Sequence, residues 1–212
     1  MFKFDSSSKP LIYLITDGET TRENFIEKKS QILQLVEIAV QTQISFVQIR
    51  EKQLSVRMVF ELVSEAARLT RKTSTKLIVN DRADIALAAN ADGVHLTSRS
   101  LSGDVIKKKI PVNFIIGVSA HTIEAVESAK NQGADFATFS PIFFSPGKGK
   151  PQGIERLRQV CESVNPFPVL ALGGIDETNY IEVLKTGARG FAAIKFLNDA
   201  KSLRKITAEL CG

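Results

Sequence analysis

Short apolar runs alternate with amphipathic segments along nearly the whole chain. The runs are continuous rather than alternating, as in strands that are buried on both faces of a parallel sheet. Between them, apolar residues recur at helical spacing, as Phe25, Ile32, Leu35 and Val36 do. Two parallel strands joined by a helix form a right-handed βαβ unit. The pattern therefore predicts an α/β protein built from repeated βα units.

Eight strands are predicted, each followed by a helix. The predicted strands cover residues 11–16, 46–50, 76–80, 93–96, 114–119, 136–142, 169–172 and 190–194. Ser55 and Thr122 are predicted N-caps, and Gly187 is placed to end the helix before the last strand. Eight alternating pairs favour a closed barrel over an open doubly wound sheet, whose G-x-G-x-x-G after the first strand is missing. We therefore expect residues 1–212 to form a single (β/α)8 TIM barrel domain.

One short sequence recurs where a helix meets the next strand. It appears as Ala-Asp-Gly-Val at 91–94, Gly-Ala-Asp-Phe at 133–136 and Gly-Ala-Arg-Gly-Phe at 187–191. Recurrence of one αβ turn supports repeated βα units.

Composition and charge narrow the function classes. The 212 residues include 28 Lys and Arg against 23 Asp and Glu, so the net charge is +5. The basic residues form no long run, which argues against nucleic acid and suits small anionic metabolites. No apolar run approaches the roughly 18 residues of a membrane span, and the first residues lack a signal core, so we expect no membrane partner and a cytoplasmic protein. Cys161 and Cys211 make no disulfide framework, and idle reduced thiols are expected.

Polar residues cluster where the second predicted strand ends. In a (β/α)8 barrel the site lies at the carboxyl ends of the strands. Gln48 and Arg50 share one strand face, and Lys52 follows in the loop. A guanidinium with an ammonium suits a diphosphate. Ordinary solvated loop charge is the alternative.

Candidate groups also end the third and fifth strands. Asn80 and Asp81 could hold Mg²⁺ beside phosphate oxygens or could cap the next helix. Ser119 could donate to a phosphate or a ring nitrogen, and His121 is either an acid/base group or the start of a helix. His95, inside the fourth strand, is interpreted as a packed core residue.

Two glycine-rich segments are typical of anion binding. In the loop Ser145–Lys150, glycines free backbone amides to face an anion, and Lys148 adds charge. Gly173 and Gly174 follow the seventh strand, where the absence of a Cβ lets backbone approach a ligand. The loops after the last two strands form the phosphate site of many such barrels, so an enzyme acting on a phosphorylated small molecule is expected. A flexible surface loop at 145–150 is the alternative.

In order, these motifs resemble the thiamine-phosphate synthase and TenI (thiazole tautomerase) family over nearly the whole chain. The resemblance rests on LIYLITD at 11–17, VQIREK at 47–52, NDRADIALAANADGVHL at 80–96, IIGVSAHT at 115–122, the SPIFFSPGK loop, and LGGI followed by GARGFAAI. It implies a (β/α)8 barrel. For the synthase branch it implies that a hydroxymethylpyrimidine diphosphate loses diphosphate and that its methylene is captured by the nitrogen of a thiazole phosphate.

The resemblance also assigns residues. The matching positions imply pyrimidine diphosphate contacts, a Mg²⁺ ligand at Asp81 and a thiazole phosphate site around Gly173 and Gly174. The implied catalytic residues are Arg50, Lys52, Ser119, His121 and Lys148. The implied substrate-binding residues are Gln48, Arg50, Lys52, Asn80, Ser119, Ser145, Lys148, Gly173, Gly174, Ile194 and Lys195.

Three departures keep alternatives open. Thr97, Ser98, Arg99 and Ser100 stand where the synthases carry G-Q-E-D, so Ser100 replaces the second acidic Mg²⁺ ligand. Ser145, Gly147 and Lys148 stand for T-x-T-K, and Lys195 replaces a serine. A TenI-like tautomerase would use His121 without metal or diphosphate, and a non-catalytic phosphate-binding relative is the third alternative. The sequence leaves assembly into a homo-oligomer open.

Overall fold

The structure, a computed structural model, describes residues 9–97 and 100–211. Eight parallel strands follow one another in chain order around a closed barrel. Each strand is followed by a helix, and a ninth helix ends the described chain. The predicted α/β class and (β/α)8 barrel are confirmed.

Most element bounds agree with the predicted ones. The strands are β1 Leu11–Ile15, β2 Phe46–Ile49, β3 Lys76–Asn80, β4 Gly93–Leu96, β5 Ile115–Ala120, β6 Phe136–Phe139, β7 Val169–Leu172 and β8 Gly190–Ala193. The helices are α1 Phe25–Gln41, α2 Val56–Thr70, α3 Ala83–Ala88, α4 Gly103–Lys107, α5 Ile123–Asn131, α6 Gly153–Val164, α7 Tyr180–Leu184, α8 Lys195–Asn198 and α9 Ala200–Cys211.

The strands are buried on both faces, as their continuous apolar sequences predict. All four residues of β2, β4, β6 and β8 are buried. Neighbouring strands pair in parallel, for example Val47 with Leu77 and Ala137 with Val169. Large rings fill the core, and those of Tyr13 and Phe46 meet edge to face at 5.4 Å.

Local capping explains several helix boundaries. The Ser55 hydroxyl accepts the Met58 N–H at 3.4 Å, and the Thr122 hydroxyl accepts the Ala125 N–H at 3.2 Å, so both predicted N-caps are confirmed. Gly187 has φ +89°, but it lies beyond Lys185, the C-cap residue of α7. It therefore lies one residue beyond the position directly after the C-cap, where a capping glycine is expected.

Other bounds differ from the prediction, and β1, β2 and β8 each end one residue earlier than predicted. Strand β6 stops at Phe139 instead of residue 142, because Pro141 has no N–H to continue a ladder. Strand β5 is shifted by one residue, to Ile115–Ala120 instead of 114–119. Helix α8 was not predicted, since four residues are too few to show a helical period.

The αβ turn at two of the three sequence copies, after α3 and α5, has the same backbone structure as the end of α1. Gln43, Asn90 and Gly133 adopt left-handed φ values of 57°, 57° and 80°. In each case the following N–H reaches back five residues along the helix, at 3.1, 2.9 and 3.0 Å. This bond, with a second one from the left-handed residue itself, forms a Schellman motif. This motif ends α1, α3 and α5 in the same way.

Two aspartates complete the turn after α3 and after α5. The Asp92 N–H donates to the Leu77 carbonyl at 2.9 Å, and its carboxylate accepts the Leu77 N–H at 2.8 Å. Asp135 does the same with Ile116, at 2.8 and 2.9 Å. At the sequence copy 187–191 an arginine stands in place of the aspartate, and the guanidinium of Arg189 donates to the Lys9 carbonyl. These turns join the amino-terminal ends of neighbouring strands.

The contacts of the chain divide into two compact units. Among the described residues, the first unit comprises 13–94 and 194–211, and the second comprises 9–12, 95–97 and 100–193. Each unit carries some of the predicted site residues. No helix within 9–97 or 100–211 is long and apolar enough to cross a bilayer.

Candidate functional site

In the first unit, β2 and β3 bring Gln48 and Asn80 together at their carboxyl ends. Gln48 is 1% exposed, and its side-chain amide lies 3.5 Å from the Asn80 side-chain oxygen. Arg50 is half-buried, and Lys52 is exposed in the loop. Polarity therefore runs from a buried amide to a solvent-facing ammonium along one short segment.

Between the two cations lies Glu51, a buried carboxylate. It accepts the Thr16 hydroxyl at 2.5 Å and the Thr20 N–H at 3.1 Å. The Thr16 oxygen in turn accepts the Arg50 N–H at 2.9 Å. Because a buried carboxylate is costly unless it is hydrogen-bonded, this network fixes the β1–α1 loop against the end of β2. Sequence analysis gave Glu51 no role.

Gly18 makes room for the Arg50 side chain. It has φ +80°, and a Cβ placed on it would lie 3.0 Å from an Arg50 Nη1 atom. A side chain at this position would therefore displace the guanidinium. The Asp-Gly pair after the first apolar run was a turn signal that could have identified Gly18.

Asp81 has an unusual backbone. Its φ is +59°, in the left-handed region that few side chains adopt and that is often found at functional sites. Asn80 Nδ2 donates to the exposed Asp81 carboxylate at 2.8 Å. The N-cap of α3 is Arg82, and no side-chain capping bond is present there. Neither Asn80 nor Asp81 therefore acts as the N-cap, which removes the capping alternative.

The neighbouring arginine belongs to a different interaction. Arg82 forms a two-point ion pair with Asp84, with Nε donating to Oδ1 at 2.8 Å. The hydrogen bonds from this guanidinium lower the pKa of Asp84. Asp84 therefore stays ionised, and Arg82 is already paired without a ligand.

The side chains near Asp81 fit a Mg²⁺ ion that is held by one carboxylate and by substrate phosphates, and they do not fit a metal ion that is held by protein ligands alone. Across residues 9–97 and 100–211, no three His, Cys, Asp or Glu side chains are grouped to hold a metal ion. Mg²⁺ often takes only one or two carboxylates together with substrate phosphates, and the exposed Asp81 carboxylate can supply one. Ser100, at the second expected position, accepts the Thr97 N–H at 2.8 Å in a local turn. Ser98 and Arg99 lie outside the described residues.

Ile194 and Lys195 mark the end of β8. Ile194 is the N-cap residue of α8, and the exposed Lys195 is its first residue. The Asn198 side-chain amide donates to the carbonyls of Ile15 and Ile194, at 2.7 Å each. Asn198 thus ties the unpredicted helix to the end of β1 and fixes where Lys195 begins.

In the second unit, the orientation of His121 defines its tautomer. His121 Nδ1 lies 2.7 Å from the Ser140 carbonyl oxygen, which can only accept. Nδ1 therefore carries the proton, and Nε2 of the neutral ring is the nitrogen that can accept one. The ring is exposed. His121 lies beyond the end of β5 and precedes Thr122, the N-cap of α5.

Ser119 contacts the buried His95. His95 Nε2 lies 2.9 Å from Ser119 Oγ and 3.4 Å from Thr138 Oγ1. His95 is 3% exposed, so its interpretation as a core residue is correct. Its polar contacts were not foreseen, since β4, β5 and β6 bring these side chains together from distant parts of the sequence.

The Gly173–Gly174 turn is packed under the segment after β6. Gly173 and Gly174 have φ values of +102° and +67°. An added Cβ would lie 2.8 Å from Pro141 Cα at the first position and 2.6 Å from the Phe144 carbonyl at the second. The glycines are thus required by the protein's own backbone, a reason that the sequence analysis missed.

The segment 143–152 is anchored at both ends and open in the middle. The N–H groups of Phe143 and Gln152 donate to the carbonyls of Gly173 and Pro141, at 3.0 and 2.8 Å. Lys148 N–H closes a turn on the Ser145 carbonyl at 3.1 Å, and the Lys148 side chain is exposed. Ser145 is half-buried and Lys148 is exposed, on a turn whose flanking residues are tethered.

Two other features lie away from the predicted residues. A cavity of about 190 Å³ is lined by residues including Val112, Phe114, Ile116 and Asp135, at the amino-terminal end of β5. Cys161 is buried, and burial raises the pKa of its thiol to about 11. The expectation of an idle reduced thiol is consistent with this raised pKa.

Comparison with known proteins gives one consistent result. The family described as "Thiamine monophosphate synthase" matches residues 12–197. A protein of Aquifex aeolicus (strain VF5), whose name marks it as a provisional thiamine-phosphate synthase 2, is 43% identical over 87% of this chain and 96% of its own length. "Thiamine-phosphate synthase" of Caldanaerobacter subterraneus subsp. tengcongensis is 38% identical over 89% of this chain and 86% of its own.

A solved structure agrees with these matches. Thiamine phosphate pyrophosphorylase from Pyrococcus furiosus superimposes with a TM-score of 0.79 at 33% identity, covering 95% of this chain and 97% of that one. The family model covers most of the chain, and the relatives exceed 30% identity over most of their lengths. The resemblance found in the sequence is confirmed, and this chain belongs to the thiamine monophosphate synthase family.

Proposed function

We propose that this protein is a thiamine-phosphate synthase that condenses hydroxymethylpyrimidine diphosphate with thiazole phosphate and releases diphosphate. The observation that carries the proposal is the Arg50–Lys52 segment. Its two cations flank Glu51, which accepts hydrogen bonds from Thr16 and Thr20, so both cations lie on a segment that the protein itself fixes in place. A tautomerase binds no diphosphate, so Lys52 and Asp81 would have no evident role in its reaction.

The proposed reaction transfers the pyrimidine methylene from oxygen to nitrogen. The C–O bond to diphosphate breaks, and its electron pair leaves with the diphosphate. The thiazole nitrogen then supplies the electron pair of the new C–N bond. Negative charge grows on the leaving oxygens, so fixed cations stabilise the transition state more than the bound substrate. Arg50 and Lys52 are the proposed groups.

The remaining roles follow the chemistry of each side chain. Gln48 and Asn80 would bind the pyrimidine diphosphate, Asn80 through the amide that also meets Asp81. Asp81 would hold Mg²⁺, which supplies charge neutralisation at phosphate oxygens when bound. In the second unit the proposed contacts are Ser119, Ser145, Lys148 and the amides of Gly173 and Gly174. In the first they include Ile194 and Lys195.

One observation favours a second candidate, the TenI-like tautomerase. His121 Nδ1–H is engaged with the Ser140 carbonyl, which leaves Nε2 as a base. Proton transfer on a thiazole phosphate carboxylate needs such a group and no metal. A non-catalytic phosphate-binding relative remains the third candidate.

We further propose a single-domain cytoplasmic enzyme that acts on small phosphorylated substrates. The parallel closed barrel and the family membership support this. No nucleic-acid or membrane partner is proposed, because the modest charge of +5 is spread along the chain. A homo-oligomer stays an open prediction.

One assay separates the candidates. The purified protein is mixed with the pyrimidine diphosphate, the thiazole phosphate and Mg²⁺, and thiamine phosphate is followed by chromatography. A parallel reaction supplies the thiazole carboxylate tautomer alone. The synthase predicts thiamine phosphate that depends on both substrates. Turnover of the tautomer without thiamine phosphate would show that the protein is the tautomerase. If neither product forms, the non-catalytic phosphate-binding relative is the candidate that is left.

A further inference from the structure

His95 is a buried polar residue for which the proposed reaction has no role so far. It is 3% exposed, so a substrate does not reach its ring directly. Ser119, 2.9 Å from its Nε2, is half-buried and therefore can be reached. An effect of His95 on a ligand can therefore pass through that hydroxyl.

The imidazole is confined rather than loosely packed. A Cβ on Gly117 would lie 2.8 Å from His95 Nδ1 and 2.4 Å from the ring of Phe136, so the absence of a side chain there creates the space that both rings fill. The ring centroids of His95 and Phe136 are 5.9 Å apart. This packing limits rotation of the imidazole and fixes the direction in which Nε2 points.

A hydroxyl has one proton and two acceptor sites, so its partner decides what it offers to others. Nε2 of His95 faces Ser119 Oγ at the shorter distance and Thr138 Oγ1 at 3.4 Å. The hydrogen bond to the imidazole therefore occupies one of the Ser119 hydroxyl's positions, as donor or as acceptor. The remaining positions point away from His95. An unrestrained serine would divide its time among three rotamers.

We propose that His95 is a positioning residue: it fixes the Ser119 hydroxyl in the orientation that contacts the pyrimidine diphosphate. The proposal rests on the proposed synthase function. In this role His95 touches neither substrate nor metal, and it acts on the reaction through Ser119.

The test is a double-mutant cycle on kcat/KM for the pyrimidine diphosphate. H95L removes the hydrogen bond, S119A removes the hydroxyl, and the double variant removes both. H95L should lower kcat/KM about tenfold, the usual effect of one lost hydrogen bond. S119A should cost as much or more, and the double variant should be no slower than S119A alone. H95Q, whose amide reaches about as far as Nε2, should recover activity to within about threefold of wild type.

Two further variants control for folding. If H95L does not fold, H95N replaces it, because the shorter amide stays polar yet does not reach Ser119. T186V removes a buried hydroxyl that donates to the Val183 carbonyl at 2.7 Å, remote in sequence from the β4–β6 cluster. T186V should lower the melting temperature and leave kcat/KM unchanged.

The outcomes distinguish a failure of the positioning role of His95 from a failure of the proposed synthase function. Wild-type protein that makes no thiamine phosphate would overturn both. If wild type is active but the losses in H95L and S119A multiply in the double variant, only the positioning role fails. Failure of H95Q to recover more activity than H95N would contradict it as well.

Discussion

At the scale of single residues, Glu51 is an acid placed directly between two proposed diphosphate-binding cations. A free carboxylate there would repel the substrate and attract the cations. Instead, its oxygens accept the Thr16 hydroxyl and the Thr20 N–H. Thr16 also accepts the Arg50 N–H, so the same network that satisfies the carboxylate orients the backbone of Arg50. Glu51 therefore serves the site by fixing the loop.

Replacing Glu51 by glutamine tests this. The amide has one acceptor oxygen instead of two, so either the Thr16 hydroxyl proton or the Thr20 N–H loses its buried acceptor. We expect E51Q to lose about 1–3 kcal/mol of unfolding free energy and to raise the KM for the pyrimidine diphosphate. Urea denaturation and steady-state kinetics measure the two effects.

E65Q is the matched control. Glu65 pairs with Lys29 on the surface, its side chain is 36% exposed, and such pairs are worth about 0–1 kcal/mol. E65Q should leave the KM unchanged and should lower the free energy of unfolding by no more than about 1 kcal/mol. An E51Q protein with wild-type stability and kinetics would show that the network has no such role.

The sequence alone predicted the types of the candidate residues better than their contacts. The strand alternation of Gln48 and Arg50 was readable, because residues two apart share a face. The contacts of Ser119 with His95 and of Gly174 with Phe144 could not be predicted. The two residues of each pair are far apart in the sequence, by 24 and 30 positions respectively. Only the folded chain places such residues together.

At the scale of elements, the αβ turn acts as a connector that sets the strand register. In the turns after α3 and α5, a Schellman helix end is followed by an aspartate that bonds the start of the preceding strand in both directions. Asp135 is 3% exposed, whereas the Asp92 side chain is 34% exposed. Both lie at the amino-terminal ends of the strands. In a (β/α)8 barrel the residues at this end contribute to stability, whereas the catalytic residues lie at the carboxyl-terminal end.

D135A should therefore affect stability and not activity. Removing the carboxylate leaves the Ile116 N–H without this acceptor in a buried place, at a cost of about 1–3 kcal/mol. D92A should cost less, because water can reach the Leu77 N–H in its place. Chemical denaturation of both variants, with kcat/KM measured alongside, gives the comparison. A larger loss for D92A, or a loss of kcat/KM in D135A that exceeds its loss of stability, would contradict this account.

At the scale of the whole molecule, the count and order of the strands were predictable because each buried run has one clear place in a parallel sheet. Eight runs in alternation with helices lead to the closed barrel that the structure shows. The errors were local. Pro141 shortened β6, and α8 was too short to give a period. The division of contacts into two units was not readable, because it depends on packing between elements.

The central claim is that Arg50 and Lys52 bind the phosphoryl oxygens of a pyrimidine diphosphate and that the Gly173–Gly174 amides bind a second phosphate. A crystal structure with both substrates and Mg²⁺, in a slowed variant, tests it most directly. We predict diphosphate oxygens within hydrogen-bonding distance of Arg50 and Lys52, and the thiazole phosphate on the amides of Gly173 and Gly174. Substrates bound elsewhere, with these groups facing only water, would contradict the claim.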